Sequence, residues 1–119
     1  MITKEKVKPI LDELKEVENI DATAVVSRDG ILLAAEIPPD VHGETFAIMS
    51  ATMLGAAITA NSELSKNMPK KVLVEAEDGG IVVLGAGMNS LLVVSYRGSI
   101  SEAIMTKAES AAEKVKEIE

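Results

Sequence analysis

The chain has 119 residues, a formal net charge of −7 at pH 7, no cysteine, and one phenylalanine and one tyrosine as its only aromatic residues. An acidic chain repels phosphate backbones and two isolated rings offer no stacking platform, so this composition argues against a nucleic-acid binder. The lack of cysteine excludes disulfides, thiolate metal ligands and a cysteine nucleophile.

This length fits a single domain, residues 1–119, which can bury roughly two thirds of the surface of its unfolded chain. The N-terminal segment MITKEKVKPI alternates charged and apolar side chains and lacks the uninterrupted hydrophobic core of a signal peptide. We therefore expect the mature chain to begin here and to lie in the cytoplasm.

The first segment has an apolar stripe at helical spacing, with lysine and glutamate on the opposite face. The stripe consists of Val7, Ile10, Leu11, Leu14 and Val17. Because proline is tolerated in the first turn of a helix and not in its interior, Pro9 predicts that the regular helix starts near Lys6. The runs TAVVS and ILLAAE follow, and the Asp29-Gly30 step between them predicts a β-hairpin.

The next run, ETFAIMSATMLGAAITANSE, extends from Glu44 to Glu63 with no charged side chain between its ends. Its composition predicts a helix from about Gly43 to Ser65. The apolar surface of such a helix can be buried by a bilayer, by the chain's own core or by another protein. Its length nearly allows a membrane crossing, but its internal threonines, serines and asparagine, without a flanking aromatic belt or basic cluster, argue against lipid.

A helical wheel divides this run into two apolar stripes and an arc of threonines and Glu63. One stripe consists of Phe46, Met49, Met53, Ala57, Ala60 and Leu64, and the other of Ala47, Ala51, Leu54 and Ile58 with Gly55 at its edge. Because this apolar arc is wider than one sheet can cover, we expect one stripe to pack on the chain's own sheet and the other on a partner, giving a dimer built on this helix. The alternative is that the terminal helices of the same chain bury both stripes.

The runs KVLVEA, GIVVLGA and SLLVVSY come after Pro69 and are separated by short Gly-containing turns, which predicts a meander of three antiparallel strands. The segment from Ser99 to Glu102 has the spacing of a capping box, with Ser99 as the N-cap of a closing helix. The apolar stripe of that helix consists of Ile100, Ile104, Ala108, Ala111, Val115 and Ile118. The predicted order is α-β-β-α-β-β-β-α, an α+β domain.

This element order, the hairpin AVVSRDGILLAAE, the central helix rich in small residues and the later hairpin GGIVVLGAGMNSLLVVSYR together resemble the roadblock (dynein light chain) domain family. The resemblance covers nearly the whole chain. It implies a five-stranded antiparallel sheet with the central helix on one face and the terminal helices on the other. It also implies homodimers or heterodimers formed through the central helix and the third strand, here Lys71 to Ala76. Members act as regulators or scaffolds of small Ras-like GTPases, of dynein motors or of signalling complexes.

The candidate interface for a second copy or a partner combines the central helix with the third strand. It comprises Met49, Ala51, Met53, Leu54, Gly55, Ile58, Lys71, Val72, Leu73 and Val74. The functional hypothesis is a non-catalytic, homodimeric interaction module that binds and regulates a small Ras-like GTPase or scaffolds its complex. The alternative is a small-molecule sensor domain of similar α+β architecture, which rests on fold analogy alone.

No residue pattern indicates a catalytic site, a cofactor or a metal ion. We expect His42, the single histidine, to be a solvent-exposed loop residue. The segment GAGMNS lacks the third glycine of a dinucleotide fingerprint, and no phosphate-binding P-loop motif occurs, so any nucleotide belongs to a partner. Arg28 and Arg97 are expected to be surface charges, and the alternative is an arginine finger supplied to a partner GTPase.

Overall fold

The computed structural model describes residues 1–119 as three helices and five strands in the predicted order. The helices are α1 (Lys4–Lys15), α2 (Gly43–Glu63) and α3 (Glu102–Ile118), and the strands are β1 (Ile20–Ser27), β2 (Leu32–Glu36), β3 (Lys71–Ala76), β4 (Gly79–Gly85) and β5 (Ser90–Arg97). The predicted α+β class and the predicted third strand are therefore confirmed. None of the three helices combines the length and the hydropathy that a bilayer crossing requires.

The five strands form one antiparallel sheet in the order β2-β1-β5-β4-β3. In two of the three inner strands, residues Ala22 to Val26 of β1 and Ser90 to Val94 of β5 are buried without alternation. A strand whose two faces are both covered needs small or apolar side chains on both, and its sequence becomes a continuous apolar run. The edge strand β3 is exposed at five of its six positions, whereas β2 is half-buried except at the buried Ala34.

Two separate cores lie on opposite faces of the sheet. On one face α1 and α3 pack together, with Leu11 and Ile104 among their buried side chains, against sheet residues such as Leu92. On the other face α2 packs alone, and its Leu54 lies in a smaller core with Val93. The predicted distribution of the helices is confirmed. The alternative in which the terminal helices bury both stripes of α2 is wrong, because the sheet lies between them.

The start of α1 differs from the prediction. The helix begins at Lys4, and the Thr3 hydroxyl caps it by accepting a hydrogen bond from the Lys6 amide at 3.3 Å. Pro9 therefore lies inside the helix, where it removes the hydrogen bond that its nitrogen would donate to the Glu5 carbonyl. Both Pro9 and Glu5 are exposed, so water can solvate that carbonyl. The stabilisation by the Thr3 N-cap exceeds the cost of the hydrogen bond lost at Pro9, because the Glu5 carbonyl left unpaired in the helix faces solvent.

The start of α3 also differs from the prediction, since Ser99 is not its cap. The chain leaves β5 through Gly98, whose φ is +72°, and Ser101 still has extended backbone angles. The Ser101 hydroxyl accepts a hydrogen bond from the Ile104 amide at 3.1 Å, which makes Ser101 the N-cap and Glu102 the first helical residue. The capping box between Ser99 and Glu102 does not form, because Glu102 stands too early in the helix to return a hydrogen bond.

Candidate interaction surface

Helix α2 packs on the sheet through a narrow strip of mostly small residues. Its buried residues are Ala47, Ser50, Ala51 and Leu54. Leu54 is 1% exposed and belongs to the core beneath α2, and the small side chain of Ala51 lets the helix lie close to the strands. Leu54 and Ala51 therefore do not face a partner. The sheet covers both residues because they lie on the side of α2 that faces the strands.

The opposite face of α2 is exposed and carries no charge between its ends at Glu44 and Glu63. This α2 surface consists of Thr45, Ile48, Met49, Thr52, Gly55, Ala56, Thr59 and Ala60. Met49 is 51% exposed and its neighbour Ile48 is 49% exposed, so two large apolar side chains lie together on this surface. The Thr52 hydroxyl donates a hydrogen bond to the Ile48 carbonyl at 2.7 Å, so it needs no further partner. The threonine arc predicted as polar is part of this surface.

Gly55 lies on the α2 surface without a reason in the chain's own packing. A Cβ built at this position would meet no atom within 4 Å. Glycine in a helix interior costs roughly 0.5–1 kcal/mol relative to alanine, and here no internal contact offsets that cost. A bare backbone of this kind permits the close approach of another element. Met53 and Ile58, two further candidate interface residues, lie half-buried on the flanks of α2.

Strand β3 is the second part of the candidate surface, since β4 pairs with one of its edges and no strand of this chain pairs with the other. Val72 is opposite Val83, whose side chain belongs to the core under α2, and Leu73 is opposite Val82, which belongs to the core under α1 and α3. Leu73 and Val74 are both exposed although they are large and apolar. A free strand edge with exposed aliphatic side chains is a ready site for strand pairing.

An internal hydrogen bond holds β3 against the sheet. The Tyr96 hydroxyl of β5 donates to the Val74 carbonyl oxygen at 2.9 Å, passing over Gly80 of the intervening strand β4. A Cβ at Gly80 would collide with that carbonyl and would lie 2.6 Å from the tyrosine hydroxyl. Burial raises the pKa of Tyr96, and the nearby Glu75 carboxylate raises it further. The sequence reasoning missed this contact, whose signal was the single tyrosine together with the Gly79-Gly80 pair.

Residues 6–95 match the Roadblock/LC7 domain. The chain belongs to the Roadblock/LC7 domain family. Among its relatives, the uncharacterised protein MJ1340 of Methanocaldococcus jannaschii is 29% identical over 107 residues, which are 90% of this chain and 94% of that protein.

Solved structures support the same fold. The gliding protein MglB of Thermus thermophilus superposes with a TM-score of 0.86 at 21% identity, covering 97% of this chain and 89% of that one. A structure described as MglB with a tetrameric arrangement also has a TM-score of 0.86 at 21% identity, covering 97% of this chain and 88% of that one. At these identities the likeness establishes the shared fold and nothing further.

The remaining polar candidates of this roadblock domain have structural contacts. His42 is exposed as predicted, but it is also the N-cap of α2, where its Nδ1 accepts from the Thr45 amide at 3.3 Å. Arg28 is half-buried and donates to the Gly87 carbonyl, through Nε at 3.2 Å and through Nη2 at 2.8 Å. Arg97 is exposed and lies 3.9 Å from an Asp21 carboxylate oxygen. No group of three or more His, Asp or Glu side chains is arranged to hold a metal ion.

Proposed function

We propose that this roadblock domain is a non-catalytic, cytoplasmic interaction module that pairs with a second copy of itself and binds a small Ras-like GTPase. The observation that carries the proposal is the position of an uncharged, exposed helix face beside a free strand edge. An exposed patch of uncharged, largely apolar side chains marks an interaction site on a protein whose formal net charge is −7. Because both elements belong to one chain, a dimer with two-fold symmetry would contain each of them twice in its interface.

The proposed dimer pairs two β3 edges and lays the two α2 helices side by side, so that their exposed faces together form one surface for the partner. Helix α2 is about 30 Å long by its residue count, which gives a contact of useful length. The residues that we assign to the interface are Met49, Met53, Gly55 and Ile58 on α2, and Lys71, Val72, Leu73 and Val74 on β3. Strand pairing would satisfy the free backbone groups of β3 and join two five-stranded sheets into one.

A Ras-like GTPase is the proposed partner because the roadblock resemblance implies it. Methionine is suited to a surface that meets a protein whose contours change with its nucleotide, because its unbranched side chain repacks easily. Two copies of Met49 would lie on such a surface. The chain has no P-loop motif, so the nucleotide belongs to the GTPase.

The partner is tested by immobilising the protein and capturing proteins from its native cell lysate, once with a non-hydrolysable GTP analogue and once with GDP. We expect mass spectrometry to identify a Ras-like GTPase that is retained in one nucleotide state. Thr52→Glu places a charge on the α2 surface and should abolish retention, whereas Thr106→Glu, on the exposed face of α3, should not. If no GTPase is retained in either state, the partner assignment is wrong, and the dimer remains to be judged by its mass.

A further inference from the structure

A groove of about 760 Å³ opens at the end of the sheet where β4 finishes and β3 begins. Its walls come from the connection between α2 and β3, which contributes Met68 and Lys70, and from α3, which contributes Lys116. Arg28 and Leu84 also line it. We call it the β4-end groove. Most of it lies beyond the α2 surface and the free edge of β3.

The charge of the groove is opposite to that of the protein. Four cationic side chains line it against two carboxylates, Glu109 and Glu113, so its formal charge is +2 in a chain of −7. One of the cations, Lys71, is already paired with Glu109 at 2.8 Å. Arg28, Lys70 and Lys116 take part in none of the five ion pairs of the structure. Positive side chains gathered in a concave site raise the local concentration of anionic ligands.

Arg28 is held in place before any ligand binds. Two of its nitrogens donate to the Gly87 carbonyl, and its Nη2 lies against Gly85, where a Cβ would be 3.0 Å away. A guanidinium has five N–H donors, so several remain for a ligand, and its planar fork matches a carboxylate. The nearby Glu119 carboxylate already accepts a hydrogen bond from the Asn89 amide at 3.0 Å. Preorganisation of this kind lowers the entropic cost of binding.

The groove also offers apolar contacts. Ile58, Leu84, Met68 and Met88 line it, and the two methionines are 65% and 87% exposed. Flexible, exposed methionine side chains can pack against an aliphatic group. The ligand that fits these walls carries carboxylates and an aliphatic side chain close together, which is the chemistry of an acidic peptide segment.

We propose that the β4-end groove binds an acidic, extended peptide segment of a partner protein. In this arrangement a carboxylate of the peptide meets Arg28, further carboxylates meet Lys70 and Lys116, and an aliphatic side chain lies between Met68 and Met88. The site is additional to the α2 surface. It shares Ile58 and Lys71 with the proposed dimer interface, whereas Arg28, Lys70 and Lys116 lie outside that interface, and it does not depend on the identity of the GTPase.

The test uses a fluorescein-labelled peptide of alternating glutamate and leucine residues, with a peptide of alternating lysine and leucine as its control, in fluorescence anisotropy titrations of the full chain. We expect the glutamate peptide to bind saturably and the lysine peptide not to bind. Lys116→Glu and Lys70→Glu should each weaken binding about three- to tenfold, as expected for reversing a partly screened surface charge. Lys107→Glu makes the same charge change on α3 outside the groove and should leave the affinity unchanged.

Three results would overturn the proposal. The first is the absence of saturable binding by the glutamate peptide. The second is an equal loss of affinity in Lys107→Glu and Lys116→Glu, which would indicate a response to net charge alone. The third is binding of phosphatidylserine vesicles through Lys70 and Lys116 without peptide binding. Circular dichroism and the molar mass of each variant, measured on the same samples, separate loss of the site from unfolding or a changed oligomeric state.

Discussion

The Tyr96 hydroxyl crosses strand β4 and donates a hydrogen bond to the Val74 carbonyl oxygen at 2.9 Å. This bond connects a central strand, β5, to the edge strand β3. It therefore holds the element that we assign to the dimer interface, and it does so from within the chain. Gly80 makes the contact possible because it places no side chain between the two groups.

Removing the hydroxyl should loosen β3. We expect Tyr96→Phe to lower the free energy of unfolding by about 1 kcal/mol, since the Val74 carbonyl loses its partner while the ring keeps its packing. Urea denaturation measures the loss, and hydrogen exchange should locate it in β3 and β4. Unchanged stability together with unchanged exchange in β3 would show that the bond contributes nothing.

The same tyrosine should make stability depend on alkaline pH. Its pKa is raised in the folded protein by burial and then by Glu75, so the folded state holds the proton more tightly than the unfolded state, whose tyrosine titrates near 10. The contribution is complete below about pH 10 and is lost as pH rises through the raised value. Urea unfolding between about pH 9 and 12 should show a steeper decline for the parent than for Tyr96→Phe. The chain has one tyrosine and no tryptophan, so absorbance titration reports Tyr96 alone.

Two glycine substitutions should have opposite effects on stability. Gly80→Ala should lower the free energy of unfolding by about 1–3 kcal/mol, because the added methyl group collides with the Val74 carbonyl and the Tyr96 hydroxyl. Gly55→Ala is the matched control and should raise it by about 0.5–1 kcal/mol, since the new Cβ meets nothing in the chain. Both are measured by urea denaturation at a protein concentration low enough for the chain to be monomeric, because Gly55 lies in the proposed dimer interface and self-association shifts apparent stability. Equal effects would contradict the contrast between the two sites.

Charge substitutions on the two sides of α2 should separate folding from assembly. Leu54→Glu should unfold the domain, because it places a carboxylate in the core under α2 and costs more than the roughly 2–5 kcal/mol of truncating a buried leucine. Met49→Glu should keep the far-ultraviolet circular dichroism of the parent. Light scattering should give the parent twice the monomer mass of 12.6 kDa and Met49→Glu the monomer mass.

Met88→Glu provides the control for the assembly experiment. It makes the same substitution at a methionine that is 87% exposed and belongs to neither α2 nor β3. We expect it to retain the doubled mass. A monomeric parent, or a Met49→Glu variant that keeps the doubled mass, would refute the proposed dimer surface.

Much of the fold follows from local pattern. The bounds of β3 agree with the prediction residue for residue, and α2 ends at Glu63, two residues before the predicted Ser65. These predictions succeed because alternating or continuous apolar runs between Gly-rich turns have few other solutions. The predicted starts of α1 and α3 are wrong, whereas α2 begins at the predicted Gly43. Thr3, His42 and Ser101 supply the caps, and the choice among neighbouring polar residues depends on backbone angles that spacing does not specify.

The candidate site was predicted as two elements, and the structure decided which of their residues remain available. The wheel of α2 showed two apolar stripes of similar character, and it could not say which stripe the sheet would cover. Burial of Ala51 and Leu54 is a property of the whole packing, because it depends on how the helix lies across strands that are distant in sequence. Met49 and Gly55 remain exposed for the same reason.

The sequence by itself determined the class of the domain, its element order, its resemblance to the roadblock family, and the absence of charge along α2. Those properties are local or additive, and each can be recognised in a short window of residues. The tertiary structure alone decided the bond from Tyr96 to Val74 across Gly80, and the gathering of Arg28, Lys70 and Lys116 in one groove. Such contacts join positions far apart in the chain, so they exist only once the sheet has fixed its strand order and register.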